Sequence, residues 1–322
     1  MLLIVQGLSA QIAPEDSLLH DGQQRKYRLY EPTGATGDLP LVVVLHGGSG
    51  NAQSVQGFTR MNPVAEANDF MVLYPEGGAT TPIGGFAWAD GRGTTADDAG
   101  IDDVDFVNTL IDSIVAKHAV DTQRIYLTGF SNGGFLAQKI ACEQNDKFAA
   151  ISALGATQNI PLNTACSPGR AIPMITMHGT ADSSVLYAGG NMANVPDDVI
   201  GAMALVDFWQ MNNNCSSSLD STDIPNSVTD DNSTAQRFDY TDCDCDADVR
   251  HFRLNDAGHT WPGVELPQLE PIAGETNEDI DASTELWNFF SQHTRECITS
   301  SRTDRGAESA KVKFSLTRAT AA

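Results

Sequence analysis

The sequence predicts an α/β fold in which a mostly parallel sheet is flanked by helices, with a decorated C-terminal third. Short apolar runs bounded by Gly, Pro and Asp alternate with helical patterns, which is typical of βαβ units. One run, Leu41–Leu45, is apolar throughout, as in a strand that is buried on both faces of a parallel sheet.

Seven strands and four helices follow from these patterns. In chain order the predicted strands are Arg25–Tyr30 as an edge strand, Leu41–Leu45, Phe70–Tyr74, Arg124–Phe130, Ala149–Leu154, Met174–Met177 and Arg250–Leu254. Apolar residues at three- and four-residue intervals predict one helix after Asp102 and weaker ones at Val199–Met211 and Thr284–His293, and a fourth opens after Ser131. Asn212–Gln236 is rich in polar residues and predicts a long surface excursion or cap.

Composition and charge exclude several classes of protein. The chain has 322 residues, 41% of them hydrophobic, as in folded soluble proteins. Its 42 acidic and 19 basic side chains give a net charge of −23, so it lacks the Lys and Arg clusters that bind nucleic acid or anionic lipid. No stretch reaches the ~20 apolar residues of a membrane helix. We therefore expect neither a nucleic-acid nor a membrane partner.

We expect a single α/β domain over residues 11–298, because such folds often reach about 250 residues. Met1–Ala10 is apolar and ends in small residues, which resembles the end of a secretory signal, although a basic n-region is missing and a first strand is the alternative. Thr299–Ala322 has no apolar periodicity and is expected to be a disordered tail.

The most informative motif is Gly129-Phe130-Ser131-Asn132-Gly133, a G-x-S-x-G between a predicted strand and helix. This context exposes a nucleophilic serine on a strained turn, where glycines let neighbouring backbone pass. The alternative is a tight turn in which Ser131 only caps the helix.

A serine nucleophile needs a base and an acid that holds the base in place. His259 follows the last predicted strand and is the candidate base, while Asp182 follows the strand at Met174–Met177 and is the candidate acid. The resulting order Ser131, Asp182, His259 is that of α/β-hydrolases. His178 is a weaker candidate base, and Asp197, Asp198 and Asp256 remain alternatives for the acid.

The oxyanion of such a reaction needs two preorganised N–H donors. We expect one from the amide of Asn132 and the other from Gly48 in the glycine-rich turn after Leu41–Leu45. No Lys follows this turn as a phosphate-binding P-loop requires.

The six cysteines are Cys142, Cys166, Cys215, Cys243, Cys245 and Cys297. An even number favours disulfides in an oxidising compartment, and the spacing of Cys243 and Cys245 does not match a zinc site. The acidic run 242–248 lacks the Gly and the terminal Glu of a calcium loop, so a solvated strand edge is favoured there. We expect no metal and no cofactor.

Six motifs occur together, and as a combination they resemble the polyhydroxybutyrate depolymerase-like esterases, which include feruloyl and acetylxylan esterases. The motifs lie at Leu45–Gly48, Trp88–Gly93, Asp102–Val107, Gly129–Gly134, His178–Asp182 and Gly258–Gly263. The resemblance implies an α/β-hydrolase fold and a secreted enzyme that cleaves carboxylic esters without a cofactor, with Ser131 as nucleophile, Asp182 as acid and His259 as base.

The same resemblance implies the disulfides Cys142–Cys166 and Cys215–Cys243, which leaves Cys245 with Cys297. Gly48 stands where many depolymerases carry cysteine, and no separate polymer-binding region is evident. Both features favour small or oligomeric ester substrates over polymers.

Two tryptophans are candidate substrate-binding residues. Trp261 is predicted to form a wall of the acyl pocket or to pack the His259 loop, and Trp88 to stack on an aromatic acyl group or to have a structural role. Three functional alternatives to a small-ester esterase remain: a polyester depolymerase, a peptidase with the same triad, and a noncatalytic acidic binding module.

Overall fold

Residues 12–193, 195–216 and 219–297 are described by the computed structural model. In this part of the chain the strands are β1 (Glu15–His20), β2 (Gln23–Tyr30), β3 (Leu39–Leu45), β4 (Met71–Pro75), β5 (Ala79–Thr80), β6 (Phe86–Ala87), β7 (Val120–Gly129), β8 (Ala150–Leu154), β9 (Met174–Gly179), β10 (Leu219–Asp223), β11 (Thr234–Tyr240) and β12 (Val249–Asn255). The α-helices are α1 (Ala52–Thr59), α2 (Met61–Asn68), α3 (Asp103–Lys117), α4 (Asn132–Glu143), α5 (Ile160–Ala165), α6 (Ala202–Asn212), α7 (Glu270–Ala273) and α8 (Ala282–Phe290).

Ten strands form one sheet in the order β1-β2-β4-β3-β7-β8-β9-β12-β11-β10. The six central strands, from β4 to β12, are parallel, and two antiparallel strands extend the sheet at each end. Strands β5 and β6 pair separately as a short hairpin. The predicted α/β class with a mostly parallel sheet is therefore confirmed.

The central strand β3 is apolar because both of its faces are covered. Val42 and Val44 pack into one core cluster, whereas Leu41, Val43 and Leu45 pack into the cluster on the other face. Successive side chains of a strand point to opposite faces, so an uninterrupted apolar run is needed where both faces are dry. The helices predicted after Asp102 and after Ser131 correspond to α3 and α4, and the two weaker patterns to α6 and α8.

One prediction about the sheet edges is wrong, and the edge strand β10 was not predicted. The strand predicted as an edge, β2, lies between β1 and β4. The predicted surface excursion at Asn212–Gln236 contains β10 and the start of β11, which extend the other edge. Every residue of β10 is exposed, so this strand carries no apolar alternation by which the sequence would reveal it.

The acidic run 242–248 forms a short 3₁₀ turn at Asp244–Asp246 rather than the predicted strand edge. The cysteines in it take part in two of three disulfides, Cys215–Cys243 and Cys245–Cys297, and Cys142–Cys166 is the third. Cys142–Cys166 and Cys215–Cys243 are the pairs that the family resemblance implied, and Cys245–Cys297 is the pair that was left by subtraction. The predicted signal remnant and the predicted tail lie outside the described residues. In the part of the chain that the structure describes, no helix is long and apolar enough to cross a membrane.

Candidate active site

Four loops converge at one edge of the sheet because the carboxyl ends of parallel strands lie on the same side. The loop after β3 carries His46 and the loop after β7 carries Ser131. Asp182 follows β9, and His259 follows β12. The topology therefore brings together residues that are more than 200 positions apart in the chain, from His46 to His259.

Ser131 lies on a strained turn between β7 and α4, with φ 53° and ψ −121°. The glycines on either side are required by close backbone contacts. A Cβ on Gly129 would lie 2.2 Å from the Gly133 carbonyl oxygen, and a Cβ on Gly133 would lie 2.5 Å from the carbonyl oxygens of Leu45 and His46. A side chain at either glycine would clash with backbone. The G-x-S-x-G pattern is thus a steric requirement of this turn.

His259 and Asp182 form a hydrogen-bonded pair, with His259 Nδ1 2.7 Å from Asp182 Oδ2. Asp182 is 2% exposed, and its Oδ1 accepts hydrogen bonds from the amides of Ser184 and Val185, each at 2.8 Å. Burial raises the pKa of Asp182, but donation from His178 and His259 outweighs it and holds the pKa well below its usual range. Asp182 is therefore a permanent carboxylate at neutral pH.

The His259 ring lies beside the Ser131 turn. Its centroid is 4.7 Å from that of Phe130, and a Cβ on Gly155 would lie 3.1 Å from the ring. Gly155 follows Leu154, whose carbonyl oxygen accepts the Ser131 amide at 2.9 Å. Among the described residues, the Ser131 hydroxyl makes no hydrogen bond to the ring; such contacts are often long in substrate-free enzymes.

None of the alternative acids pairs with the candidate base. Asp197, Asp198 and Asp256 form no hydrogen bond or ion pair with His259 in the described part of the chain. His178 is likewise not the base: it is buried, its Nε2 is 2.7 Å from the Val185 carbonyl oxygen and 3.4 Å from Asp182 Oδ2. Sequence reasoning missed this second contact to Asp182, although His178 and Asp182 belong to one motif.

The glycine-rich turn after β3 packs on the start of α4. A Cβ on Gly47 would lie 3.6 Å from the Ser131 Cβ, and one on Gly48 would lie 3.8 Å from the Asn132 Cβ. In the described structure no backbone hydrogen bond engages the amides of Gly48 and Asn132. Two unused N–H donors therefore lie next to the serine.

A buried network holds Asn132 in place. Its Oδ1 accepts the Trp88 amide at 2.8 Å, and its Nδ2 donates to the Trp88 carbonyl oxygen at 3.1 Å and to Asp90 Oδ2 at 2.5 Å. Burial raises the pKa of Asp90, and the Arg92 guanidinium, 2.7 Å away, partly offsets this increase. Asp90 and Arg92 were not singled out from the sequence, although the Trp88–Gly93 motif contains both.

His46 supports the neighbouring turn as a neutral side chain. Its Nε2 accepts the Gly77 amide at 2.9 Å, so the proton resides on Nδ1, which donates to the Gly47 carbonyl oxygen at 2.7 Å. Burial lowers the pKa of His46 to about 4. His46 thus fixes the shape of the glycine-rich turn.

Of the two roles predicted for Trp88 and Trp261, this structure contradicts substrate contact and favours the structural role, because both side chains are fully buried. The Trp88 indole donates to the His46 carbonyl oxygen at 2.8 Å, and the Trp261 indole donates to Ser283 Oγ at 3.3 Å. Both tryptophans therefore support the loops of the site and do not line its surface.

Within the described residues, no three His, Cys, Asp or Glu side chains are grouped as a metal would require.

Comparison with known proteins identifies the family of this chain. The family model described as esterase PHB depolymerase matches residues 25–186, half of the chain, and includes Ser131 and Asp182. Over 282 residues the chain is 26% identical to a putative esterase, NocK, of Nocardia uniformis subsp. tsuyamanensis, covering 84% of this chain and 80% of that protein.

A second relative supports the same family, and one solved structure shares the fold. Feruloyl esterase B of Piromyces equi is 32% identical over 73% of this chain, which spans only 42% of that protein. An acetyl xylan esterase from Aspergillus awamori shares the fold, with a TM-score of 0.54 and 12% identity over 80% of this chain and 97% of that one. The chain therefore belongs to the esterase PHB depolymerase family, and it is an esterase of the α/β-hydrolase fold.

Proposed function

We propose that this protein is a secreted serine esterase that hydrolyses small or oligomeric carboxylic esters through an acyl-enzyme. The observation that carries the proposal is the hydrogen bond of 2.7 Å between His259 Nδ1 and Asp182 Oδ2. The His259 ring also packs on Phe130, the residue before Ser131. This pairing leaves Nε2 of the imidazole as the proton acceptor for the serine.

Acylation begins when Ser131 Oγ attacks the ester carbonyl carbon and His259 Nε2 takes its proton. The tetrahedral intermediate then collapses, and the imidazolium gives the proton to the departing alcohol oxygen. Asp182, which is ionised, keeps the Nδ1 proton in place and stabilises the imidazolium. A water activated by His259 hydrolyses the acyl-enzyme and releases the acid.

The negative oxygen of each intermediate is stabilised by the amides of Gly48 and Asn132. Both donors are unused by the rest of the described backbone, and buried contacts from His46 and Asp90 fix the segments that carry them. Preorganised donors of this kind lower the barrier because they need no reorientation during the reaction. Loss of one such donor typically costs about 10²–10³ in kcat.

Substitution of the nucleophile tests the proposal. We expect Ser131→Ala to lower kcat for a nitrophenyl ester by several orders of magnitude and to leave the fold intact, because triad residues act as a unit. A fluorophosphonate should label Ser131 in the unchanged protein. The matched control is Ser291→Ala, since Ser291 is exposed at the end of α8. Near-normal turnover by Ser131→Ala, or failure to label Ser131, would contradict the assignment.

Secretion is supported by the cysteines, all six of which are disulfide-bonded. Such bonds persist in oxidising compartments. We expect protein recovered from the medium and unfolded without reductant to contain no reactive thiol, measured by alkylation and mass spectrometry. Six alkylated cysteines would refute both the disulfides and this argument for export.

A further inference from the structure

A cleft of about 450 Å³ opens beside Gly48, one of the two proposed oxyanion donors. Backbone of residues 47–50 forms one side, and the apolar side chains around it are Val55, Phe58, Phe130, Leu266 and Leu269. Sites that bind small molecules have volumes of about 300–1,000 Å³, so this cleft has room for far more than an acetyl group. Sequence reasoning did not detect it because its walls come from three separate loops and helices.

The position of His259 distinguishes the acyl side of the site from the alcohol side. The imidazolium must reach the leaving oxygen, so the alcohol lies next to His259. A small crevice of about 20 Å³ is lined by His259 and Thr260 and adjoins the large cleft, with which it shares Phe58, Leu266 and Leu269. Neither His259 nor Thr260 lines the large cleft. The large cleft adjoins Gly48, where the carbonyl oxygen of the acyl group is held. We therefore place the acyl group in the large cleft.

The chemistry of the cleft determines what it accepts. Of its described lining residues the only ionisable one is His46, and its ring nitrogens already bond Gly47 and Gly77. A charged acyl chain would lose its hydration without gaining a counter-ion, which is costly. We propose that this cleft binds an uncharged, apolar acyl chain longer than acetyl, and that Leu266 and Leu269 pack against this chain. The proposal rests on the proposed function.

The wall formed by Leu266 and Leu269 is attached to the catalytic loop. The His259 amide donates to the Ala273 carbonyl oxygen at 2.6 Å, and the Gly258 amide donates to that of Glu275 at 2.8 Å. A Cβ on Gly258 would lie 2.0 Å from the Ala273 oxygen, so the two segments are in close contact. The wall of the acyl cleft is thus held at a set distance from the base.

A series of nitrophenyl esters with acetyl, butanoyl and hexanoyl groups measures the preference. We expect kcat/KM to rise about fourfold for each added methylene, which corresponds to about 0.8 kcal/mol. The mono-nitrophenyl ester of glutaric acid, which carries a free carboxylate, should react at least a hundredfold more slowly than the pentanoyl ester. A flat or falling series, or equal rates for the glutaryl and pentanoyl esters, would overturn the proposal.

Gly57→Phe tests the location. Gly57 lines the cleft, and a Cβ placed there meets nothing within 4 Å, so a side chain can be added at this lining position without a clash at its Cβ. We expect the hexanoyl-to-acetyl ratio of kcat/KM to fall at least tenfold. The matched control is Gly169→Phe, an exposed glycine outside the cleft whose Cβ also meets nothing within 4 Å, and it should leave the ratio unchanged.

A second variant removes part of the wall instead of blocking the cleft. Leu269 is 43% exposed, so Leu269→Ala should fold, and we expect it to lower the hexanoyl-to-acetyl ratio at least threefold. If either variant changed selectivity among alkyl acetates and not among the acyl series, the cleft would hold the alcohol and the proposal would fail. If the variants hydrolyse acetyl esters and their selectivity among acyl groups is unchanged, only this inference is overturned. If the unchanged protein hydrolyses no ester and Ser131 is not labelled, the proposed function is overturned as well.

Discussion

Asp182, the proposed acid, shows how much of its environment comes from neighbours outside the proposed triad. Its carboxylate is hydrogen-bonded to His259 and to two backbone amides. Its Oδ2 also lies 3.4 Å from His178 Nε2. That nitrogen must carry a proton, because it is also 2.7 Å from the Val185 carbonyl oxygen, which can only accept. His178 therefore donates to the Val185 carbonyl oxygen and lies beside the Asp182 carboxylate, at the two ends of one turn. We interpret it as a positioning residue for the acid.

Replacement of His178 should reduce activity without removing a reacting group. We expect His178→Phe to lower kcat about tenfold, the scale of one lost buried hydrogen bond, with a smaller effect on KM. With one donor fewer, the carboxylate attracts the imidazolium more strongly, so the acid limb of the kcat/KM profile should move to higher pH.

The pH profile separates this role from a purely structural one. His118→Phe is the control, because His118 lies far from this turn and pairs with Glu31 at 3.0 Å. A lower kcat with an unmoved acid limb would show that His178 only supports the fold.

At the level of elements, the site depends on the crossing of β3 and α4. Gly133 allows the first turn of α4 to approach the carbonyl oxygens at the end of β3. This approach places the glycine-rich turn beside Ser131, which connects β7 to α4. The strand–turn–helix context was predictable because the glycine spacing is local. The sequence does not reveal that β3 is the strand that contacts Gly133, because this contact joins distant segments.

Substitution of Gly133 should therefore destabilise the protein. We expect Gly133→Ala to lower the free energy of unfolding by about 2 kcal/mol or more, because backbone atoms cannot move aside as a flexible side chain can. Gly57→Ala, the control in α1, should raise it by about 0.5–1 kcal/mol, since its Cβ meets nothing within 4 Å. Urea denaturation measures both. Equal stability of the two variants would contradict the contact.

At the scale of the whole molecule, buried histidines link stability to pH. Burial lowers the pKa of His46 and of His293 to about 4 and that of His251 to about 3. An unfolded chain protonates these rings near pH 6.5. Between pH 6.5 and 4 the unfolded state therefore binds more protons than the folded state, so these groups destabilise the fold as the pH falls.

His293→Phe isolates one of these contributions. The His293 ring packs against Phe289, with centroids 4.5 Å apart, so phenylalanine preserves the contact and removes the titration. Between pH 7 and pH 4.5, we expect the variant to lose about 1–2 kcal/mol less unfolding free energy than the unchanged protein. Contributions from other groups cancel in this difference. Equal losses, measured by urea denaturation at both pH values, would show that His293 is not neutral in the folded state.

The sequence by itself determined the parallel core, the order of the three triad candidates and the Ser131 turn, because apolar runs and glycine spacing report local requirements. Tertiary structure alone decided which aspartate faces His259, that β1 and β10 extend the sheet, and that Trp88 and Trp261 are buried. Those outcomes depend on contacts between segments that are distant in the sequence. A polar edge strand or a tryptophan has the same local sequence pattern whether the folded protein buries it or exposes it. The acyl cleft belongs to the second group, since its walls meet only after the chain has folded.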